Sequence, residues 1–169
     1  RRDQLPDFVQ PLKVVEKGYR VIYDARALLK EQSLSDASSE YRMRVRVSLR
    51  ALWAMKDMSV LFNPIRFRIF SLQIISHKLL RYMAAIPMVI LLLANIFLLA
   101  EGGLYQLLFL GQLGFYLLAF VGFIRGGEGD SALIKLPYYF VLLNVAAADA
   151  TLRFLKGEKI VIWQPRVGS

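Results

Sequence analysis

Two uncharged stretches of bilayer length dominate the second half of the chain. Met83–Ala100 and Leu104–Ile124 contain no Lys, Arg, Asp or Glu, and each is close to the roughly 20 residues that a helix needs to cross a hydrocarbon layer. Because only three residues separate them, we predict two transmembrane helices that form an antiparallel hairpin. Leu136–Leu152 is shorter and contains Asn144 and Asp149, and we predict that it forms a third span.

The alternative interpretation is that these stretches form buried helices in the core of a soluble domain. A small globular domain can seldom cover neighbouring helices that are apolar on every face, so the membrane interpretation is favoured. Polar residues within the spans are expected to bond across helices: Asn95, Gln106 and Gln112. Small residues are expected to let helix backbones approach each other: Gly111, Gly114 and Gly122. The alternative is that these polar residues line a path for a polar substrate.

The chain begins with a pattern typical of a short helix followed by a strand. Phe8–Lys17 has apolar residues at helical spacing, and Asp7 stands immediately before it as the predicted N-cap. Gly18 is predicted to end the helix. Tyr19–Tyr23 is β-branched and aromatic, which predicts a strand.

A strongly basic segment, Glu40–Met55, is predicted to form the next helix, with Ser38 or Ser39 as its cap. Three arginines repeat at every fourth residue along it: Arg42, Arg46 and Arg50. Side chains at this spacing stack on one face of a helix, where like charges repel each other. The stripe therefore indicates an anionic neighbour such as a phosphate, a lipid headgroup or carboxylates, and a solvated basic face near the membrane is the alternative.

An amphipathic segment leads into the first predicted span. Asn63-Pro64 is predicted to break the chain, and Ile65–Tyr82 then has apolar residues at helical spacing against basic and polar ones. Such a helix is expected to lie in the plane of the membrane interface. His77 is the only histidine, so a histidine metal cluster is excluded, and we expect it to form an interfacial hydrogen bond.

The charge of the chain is concentrated directly before the first span. The whole sequence has a formal net charge of +9 and no cysteine, which excludes a disulfide scaffold. Between Arg42 and Arg81, nine Lys or Arg residues face a single acid, Asp57. Excess basic residues beside a span mark the cytoplasmic side and attract anionic lipid. Residues 1–82 are therefore predicted to be cytosolic, and membrane lipid is favoured over nucleic acid as a partner.

The side of the membrane reached by the C-terminus is left open by the sequence. Three spans would place residues 125–135 inside and the tail outside. That tail nevertheless contains four basic residues, namely Arg153, Lys156, Lys159 and Arg166, which favour the cytoplasmic side. If the third segment lies in the membrane interface and does not cross, the tail lies inside. Asp149 is expected to reach the interface beside Arg153.

Five motifs in order resemble the C-terminal third of membrane-bound family 2 glycosyltransferases, the group of cellulose-synthase-like, chitin-oligosaccharide and hyaluronan synthases and their bacterial exopolysaccharide relatives. They are Leu5–Val14 (LPDFVQPLKV), Glu16–Tyr23 (EKGYRVIY), Arg42–Arg46 (RMRVR), Ser76–Arg81 (SHKLLR) and Gly157–Trp163 (GEKIVIW). They resemble the family's acidic motif, the strand after it, its arginine-rich segment, the end of its interfacial helix and its tail.

The resemblance implies roles for particular residues. Asp7 matches the general base that takes the proton from the acceptor hydroxyl. Arg42, Arg44 and Arg46 match the segment that borders the acceptor and the nucleotide diphosphate. A Mg²⁺ or Mn²⁺ ion is implied on that diphosphate, but its D-x-D-type ligands are absent from this chain. Pro6 departs from the family by standing in place of the usual first acid.

The arginine-rich segment also departs from the family motif Q-x-x-R-W. The correspondence falls on Arg44-Val45 or on Arg46-Val47, and in either frame the Gln is missing and a Val stands where the family has Trp. The acceptor sugar of the family stacks on that Trp. Processive polymer synthesis is therefore not implied.

The fold expected from the resemblance is a mainly α membrane protein that begins with the C-terminal edge of a GT-A α/β domain (residues 1–56). An interfacial helix (57–82), about three transmembrane helices (83–155) and a tail (156–169) are expected to follow. The implied function is sugar transfer with inversion from a nucleotide-sugar donor to a glycan or lipid-linked acceptor in polysaccharide synthesis at a bacterial inner (plasma) membrane. We expect a fragment of a longer enzyme that is inactive alone. A non-enzymatic membrane adaptor that binds anionic lipid or a partner through its basic residues is the alternative.

Overall fold

The computed structural model describes residues 5–28, 37–127 and 131–160, and those residues are helical or irregular without any strand. The helices are α1 (Pro6–Glu16), α2 (Ala37–Asp57), α3 (Pro64–Phe67), α4 (Ile69–Ile74), α5 (Leu80–Tyr82), α6 (Ala85–Phe97), α7 (Gly103–Ile124) and α8 (Ala132–Leu155). A π-helical turn at Ile75–Leu79 joins α4 to α5, and 3-10 turns lie at Ser59–Phe62 and Leu99–Glu101. The mainly α prediction is confirmed.

Helix α1 forms where the sequence predicted a helix, but it begins earlier. Leu5 occupies the N-cap and Pro6 the first helical position, where a proline's fixed φ and missing N–H fit best. Asp7 lies inside the first turn, so its prediction as the N-cap is wrong. Gly18 ends the helix as predicted, with φ 85° and its N–H donating to the Val15 carbonyl at 2.9 Å.

The predicted strand at Tyr19–Tyr23 is wrong, because the structure has irregular backbone there. Its side chains are highly exposed, with Ile22 at 84% and Tyr23 at 91%. A strand is stabilised by the neighbouring strand that pairs with it, and the described residues contain none. The β-branched composition of the segment is therefore not sufficient to form a strand in this chain.

Helix α2 packs along α8. It contains the whole predicted helix but begins at Ala37, so Ser38 and Ser39 lie within its first turn and their prediction as caps is wrong. Four buried residues form the contact between the two helices: Val45 and Leu49 from α2 with Ala146 and Ala150 from α8. Because the alanines are small, the two helix backbones approach closely.

The predicted interfacial helix at Ile65–Tyr82 is wrong as one continuous helix. The Asn63 side chain caps α3 by accepting from the Ile65 N–H at 2.9 Å, which confirms the predicted break. Arg68 then has a φ of 49°, which separates α3 from α4. Ser71 is fully buried and donates to the Leu61 carbonyl at 2.8 Å. The segment therefore folds back on the turn before it.

Within the described residues, α7 and α8 are long and apolar enough to cross a membrane, and they coincide with two of the predicted spans. The first predicted span is not a straight helix. Helix α6 has only 13 residues, fewer than the roughly 20 that a bilayer requires. The segments Ile69–Tyr82 and Ala85–Phe97 pass the same test together, but with a bend of 64° between them, as in a broken span or a re-entrant loop.

Polar and small residues hold α6, α7 and α8 together. The Asn95 amide donates to Gln112 Oε1 at 2.7 Å, which confirms the predicted bond between helices for these two residues. The Gln106 amide instead donates at 3.2 Å to the Leu99 carbonyl in the 3-10 turn before its own helix. At Gly122, an added Cβ would lie 2.6 Å from Tyr138 Cβ. A Cβ added at Gly111 or Gly114 would meet no atom of the described residues within 4 Å, so the predicted role of these two glycines in close helix packing is wrong for that part of the chain.

Candidate functional site

Asp7 presents its carboxylate to solvent at the start of α1. It is exposed, and among the described residues it has no side-chain hydrogen bond or ion pair. Val9 and Leu12 anchor the helix by packing against Ala54 and Met58 at the C-terminal end of α2. The carboxylate lies where the partial positive charge of a helix N-terminus favours an anion. A free carboxylate on an anchored helix can accept a proton from a bound hydroxyl group.

The arginines of α2 have different surroundings, although the sequence placed Arg42, Arg46 and Arg50 in one stripe. Arg44 Nε donates to Glu40 Oε1 at 2.7 Å, one helical turn away. Arg50 is buried, and its Nε donates to the Ile160 carbonyl at 3.0 Å. Arg42 is exposed, and its Nη2 donates to the Ser39 hydroxyl at 3.2 Å. Arg46 is half-buried and also has a partner.

The structure does not bring Asp7 and these arginines into contact. Helix α1 packs at the end of α2 that contains Ala54, whereas Arg42 lies near the opposite end. At 1.5 Å per residue, Arg42 and Ala54 are about 18 Å apart along the helix axis. Asp7 and Arg42 therefore belong to separate sites in this arrangement.

A line of polar contacts joins α2 to α8, and sequence reasoning found only part of it. Tyr41 Oη donates to Asp149 Oδ2 at 3.1 Å, and Arg153 Nε donates to Asp149 Oδ1 at 2.9 Å. Asp149 thus lies beside Arg153, as predicted, and pairs with it. Burial of the Tyr41 hydroxyl, together with the negative charge of Asp149, raises the pKa of Tyr41 above its usual value. Tyr41 therefore stays neutral and continues to donate at ordinary pH.

A basic cluster surrounds Trp53 where the C-terminal segment returns to α2. The indole N–H of Trp53 donates to the Glu158 carbonyl at 2.8 Å. Lys56 and Lys159 lie over the indole ring, with Nζ 4.9 Å and 4.6 Å from its centroid. Phe154 packs edge-on against the same ring. Cation–π contacts of this kind stabilise the packing of residues 158–160 against α2.

A cavity of about 700 Å³ opens between α2, α7 and α8. The lining is predominantly apolar, and its polar residues come mainly from the first turns of α2. The lining residues are Ser38, Tyr41, Arg42, Tyr116, Ala119, Phe120, Phe123, Gly126, Tyr138, Val141, Leu142 and Val145. The sequence offered no local signal for this cavity, because its walls come from three separate segments.

The described residues do not fit a resident metal ion. No group of three or more His, Cys, Asp or Glu side chains lies together in that part of the chain. The Mg²⁺ or Mn²⁺ ion implied by the resemblance would need ligands from elsewhere.

No family model matches the sequence, and neither the curated proteins nor the solved structures contain a match. The likeness to family 2 glycosyltransferases consequently consists of the short motifs described above.

Proposed function

We propose that this chain is part of a membrane-bound glycosyltransferase. It would help transfer a sugar, with inversion, from a nucleotide-sugar donor to a glycan or lipid-linked acceptor during polysaccharide synthesis at a bacterial inner membrane. The observation that supports this proposal best is the Asp7 carboxylate, which lies in an acidic motif like that of the family and is exposed and unpaired among the described residues. Helix α1 holds it against α2, which in turn packs on the membrane helix α8.

The proposed step requires a general base at the acceptor oxygen. The Asp7 carboxylate takes the proton of the acceptor hydroxyl as that oxygen attacks the anomeric carbon of the donor. The new bond between the acceptor oxygen and the anomeric carbon forms while the bond from that carbon to the diphosphate oxygen breaks, and the electron pair leaves with the nucleoside diphosphate. Attack from the face opposite the leaving group inverts the anomeric centre.

The proposed role of the arginines in binding the diphosphate has weaker support than the role of Asp7. Guanidinium groups suit a leaving diphosphate because they donate paired hydrogen bonds to its oxygens. Arg44 is already paired with Glu40 and Arg46 also has a partner, so Arg42 is the better candidate. Since Arg42 and Asp7 lie in separate sites, Asp7 alone carries the proposed chemistry.

We further propose that the basic helix α2 and the C-terminal segment both lie on the cytoplasmic side. Trp53 and Arg50 of α2 contact residues 158–160 directly, so those segments lie on the same side. If α7 and α8 both cross the membrane, the C-terminal segment returns to the side on which α2 lies. The basic residues of the tail also favour the cytoplasmic side. The bent pair before α7 would then enter and leave from the cytoplasmic side. In this arrangement the C-terminal segment lies inside, whereas the parity of three spans would place it outside.

An assay of nucleoside diphosphate release tests the proposed activity. Membranes containing the polypeptide that carries this chain, incubated with a panel of labelled nucleotide sugars, are expected to release nucleoside diphosphate and to form a labelled glycan or lipid. Residues 1–169 alone should give neither product, because they contain no D-x-D motif. Transfer by residues 1–169 alone, or no release from any donor by the longer polypeptide in its folded form, would contradict the proposal.

The adaptor remains a second candidate because of the basic cluster around Trp53. Lys56 and Lys159 present two ammonium groups beside an aromatic ring, and such a surface suits anionic headgroups. An adaptor would bind anionic vesicles without releasing nucleoside diphosphate from any donor. The release assay therefore separates the two functions.

A further inference from the structure

The cavity between α2, α7 and α8 combines apolar walls with a basic residue. Aromatic and aliphatic side chains of the two membrane helices form most of its surface, including Tyr116, Phe120, Val141 and Leu142. Arg42, whose guanidinium is positively charged, lines the same cavity from α2. Its volume of about 700 Å³ lies within the roughly 300–1,000 Å³ of sites that bind small molecules.

The charge of Arg42 is not neutralised by the described residues. Its guanidinium has five N–H donors, of which one contacts the Ser39 hydroxyl, and no carboxylate contacts it in the described part of the chain. A cation beside apolar membrane helices is costly unless an anion pairs with it, and lipid headgroups move toward such a group. The surroundings of Arg42 therefore favour an anionic ligand that also has an apolar part.

We propose that this cavity binds an anionic phospholipid, with one acyl chain between α7 and α8 and the phosphate on Arg42. A soluble phosphate would leave the aromatic walls without a partner, whereas a neutral lipid would leave the guanidinium without one. A phospholipid provides an acyl chain for the apolar walls and a phosphate for the guanidinium. A lipid phosphate on Arg42 would exclude a diphosphate there, so the two proposals compete for this residue. Lipid binding is nevertheless tested without sugar transfer, because it is measured directly.

Native mass spectrometry of the delipidated protein in detergent tests the charge contact. Wild-type protein should retain phosphatidylglycerol about tenfold more tightly than phosphatidylcholine, and Arg42→Gln should remove that preference. Arg66→Gln is the matched control, because Arg66 is exposed on α3 and does not line the cavity. Unchanged phosphatidylglycerol binding by Arg42→Gln, or an equal loss in both variants, would overturn the proposal.

A cavity-filling variant tests the acyl chain separately. Val141→Trp should weaken phosphatidylglycerol binding about tenfold while the helical circular dichroism stays unchanged, since the added ring occupies the space of the chain. Glycerol phosphate, which has the headgroup charge but no chain, should compete poorly. Wild-type affinity in Val141→Trp, or competition by glycerol phosphate as strong as by the whole lipid, would show that the cavity does not bind an acyl chain.

Discussion

Asp7→Asn, introduced into the enzyme that carries this chain, should lower the rate of sugar transfer roughly a hundredfold to ten-thousandfold, the usual contribution of general acid–base catalysis. An amide has nearly the shape of a carboxylate but cannot take the acceptor proton at neutral pH. Because Asp7 is exposed and makes no side-chain contact among the described residues, the fold should not depend on its charge. The rate is measured as nucleoside diphosphate release at saturating donor.

Glu16→Gln provides the matched control for this variant. Glu16 is the last residue of the same helix, so its substitution also removes one carboxylate from α1. The control should keep the wild-type rate, and the donor affinity of Asp7→Asn should stay close to that of the wild type. A near-normal rate in Asp7→Asn would remove Asp7 from the mechanism, and an equal loss in Glu16→Gln would indicate a general charge effect.

Gly122→Ala should destabilise the contact between α7 and α8 more than an alanine at any other glycine of α7. An added Cβ would lie 2.6 Å from Tyr138 Cβ, so the two helices would have to separate. Overpacking of this kind typically costs about 1–3 kcal/mol in the free energy of unfolding. Thermal unfolding in detergent micelles, followed by circular dichroism, should show a lower midpoint temperature for the variant.

Gly114→Ala is the control, because Gly114 lies on the same helix and an added Cβ there would meet no atom of the described part of the chain within 4 Å. Alanine is favoured over glycine in a helix by roughly 0.5–1 kcal/mol, so this variant should unfold at the wild-type temperature or above it. Equal midpoints for the two variants would show that Gly122 is not a point of close helix contact.

The spans and the basic helix could be predicted because their signals are local. An uncharged run such as Leu104–Ile124 indicates a membrane helix whatever surrounds it. The bend before α6 could not be predicted, since it falls at the turn of Met83 and Ala84, which does not interrupt the apolar pattern. The strand predicted at Tyr19–Tyr23 does not form, because strand formation depends on a partner outside the segment, which local composition does not indicate.

The candidate site likewise combines features that are local in the sequence with features that depend on long-range packing. Asp7 could be singled out because it lies in a motif, and its exposure agrees with the proposed role. The contacts of Tyr41 with Asp149 and of Trp53 with Glu158 join residues more than 100 positions apart. No spacing within the sequence indicates such pairs. The cavity between α2, α7 and α8 depends on the same long-range packing, so the sequence could not predict it.

Helices α7 and α8 are proposed to form a membrane hairpin whose two outer ends lie on the same side as the basic helix α2. The sequence contains no cysteine, so single cysteines can be labelled without background. Lys17→Cys, Ser131→Cys and Lys156→Cys should be treated with a membrane-impermeant maleimide in cells and in inverted vesicles. We predict that the cysteines at positions 17 and 156 react only from the cytoplasmic side and that the cysteine at position 131 reacts only from the opposite side. Labelling of positions 131 and 156 from the same side would contradict the account.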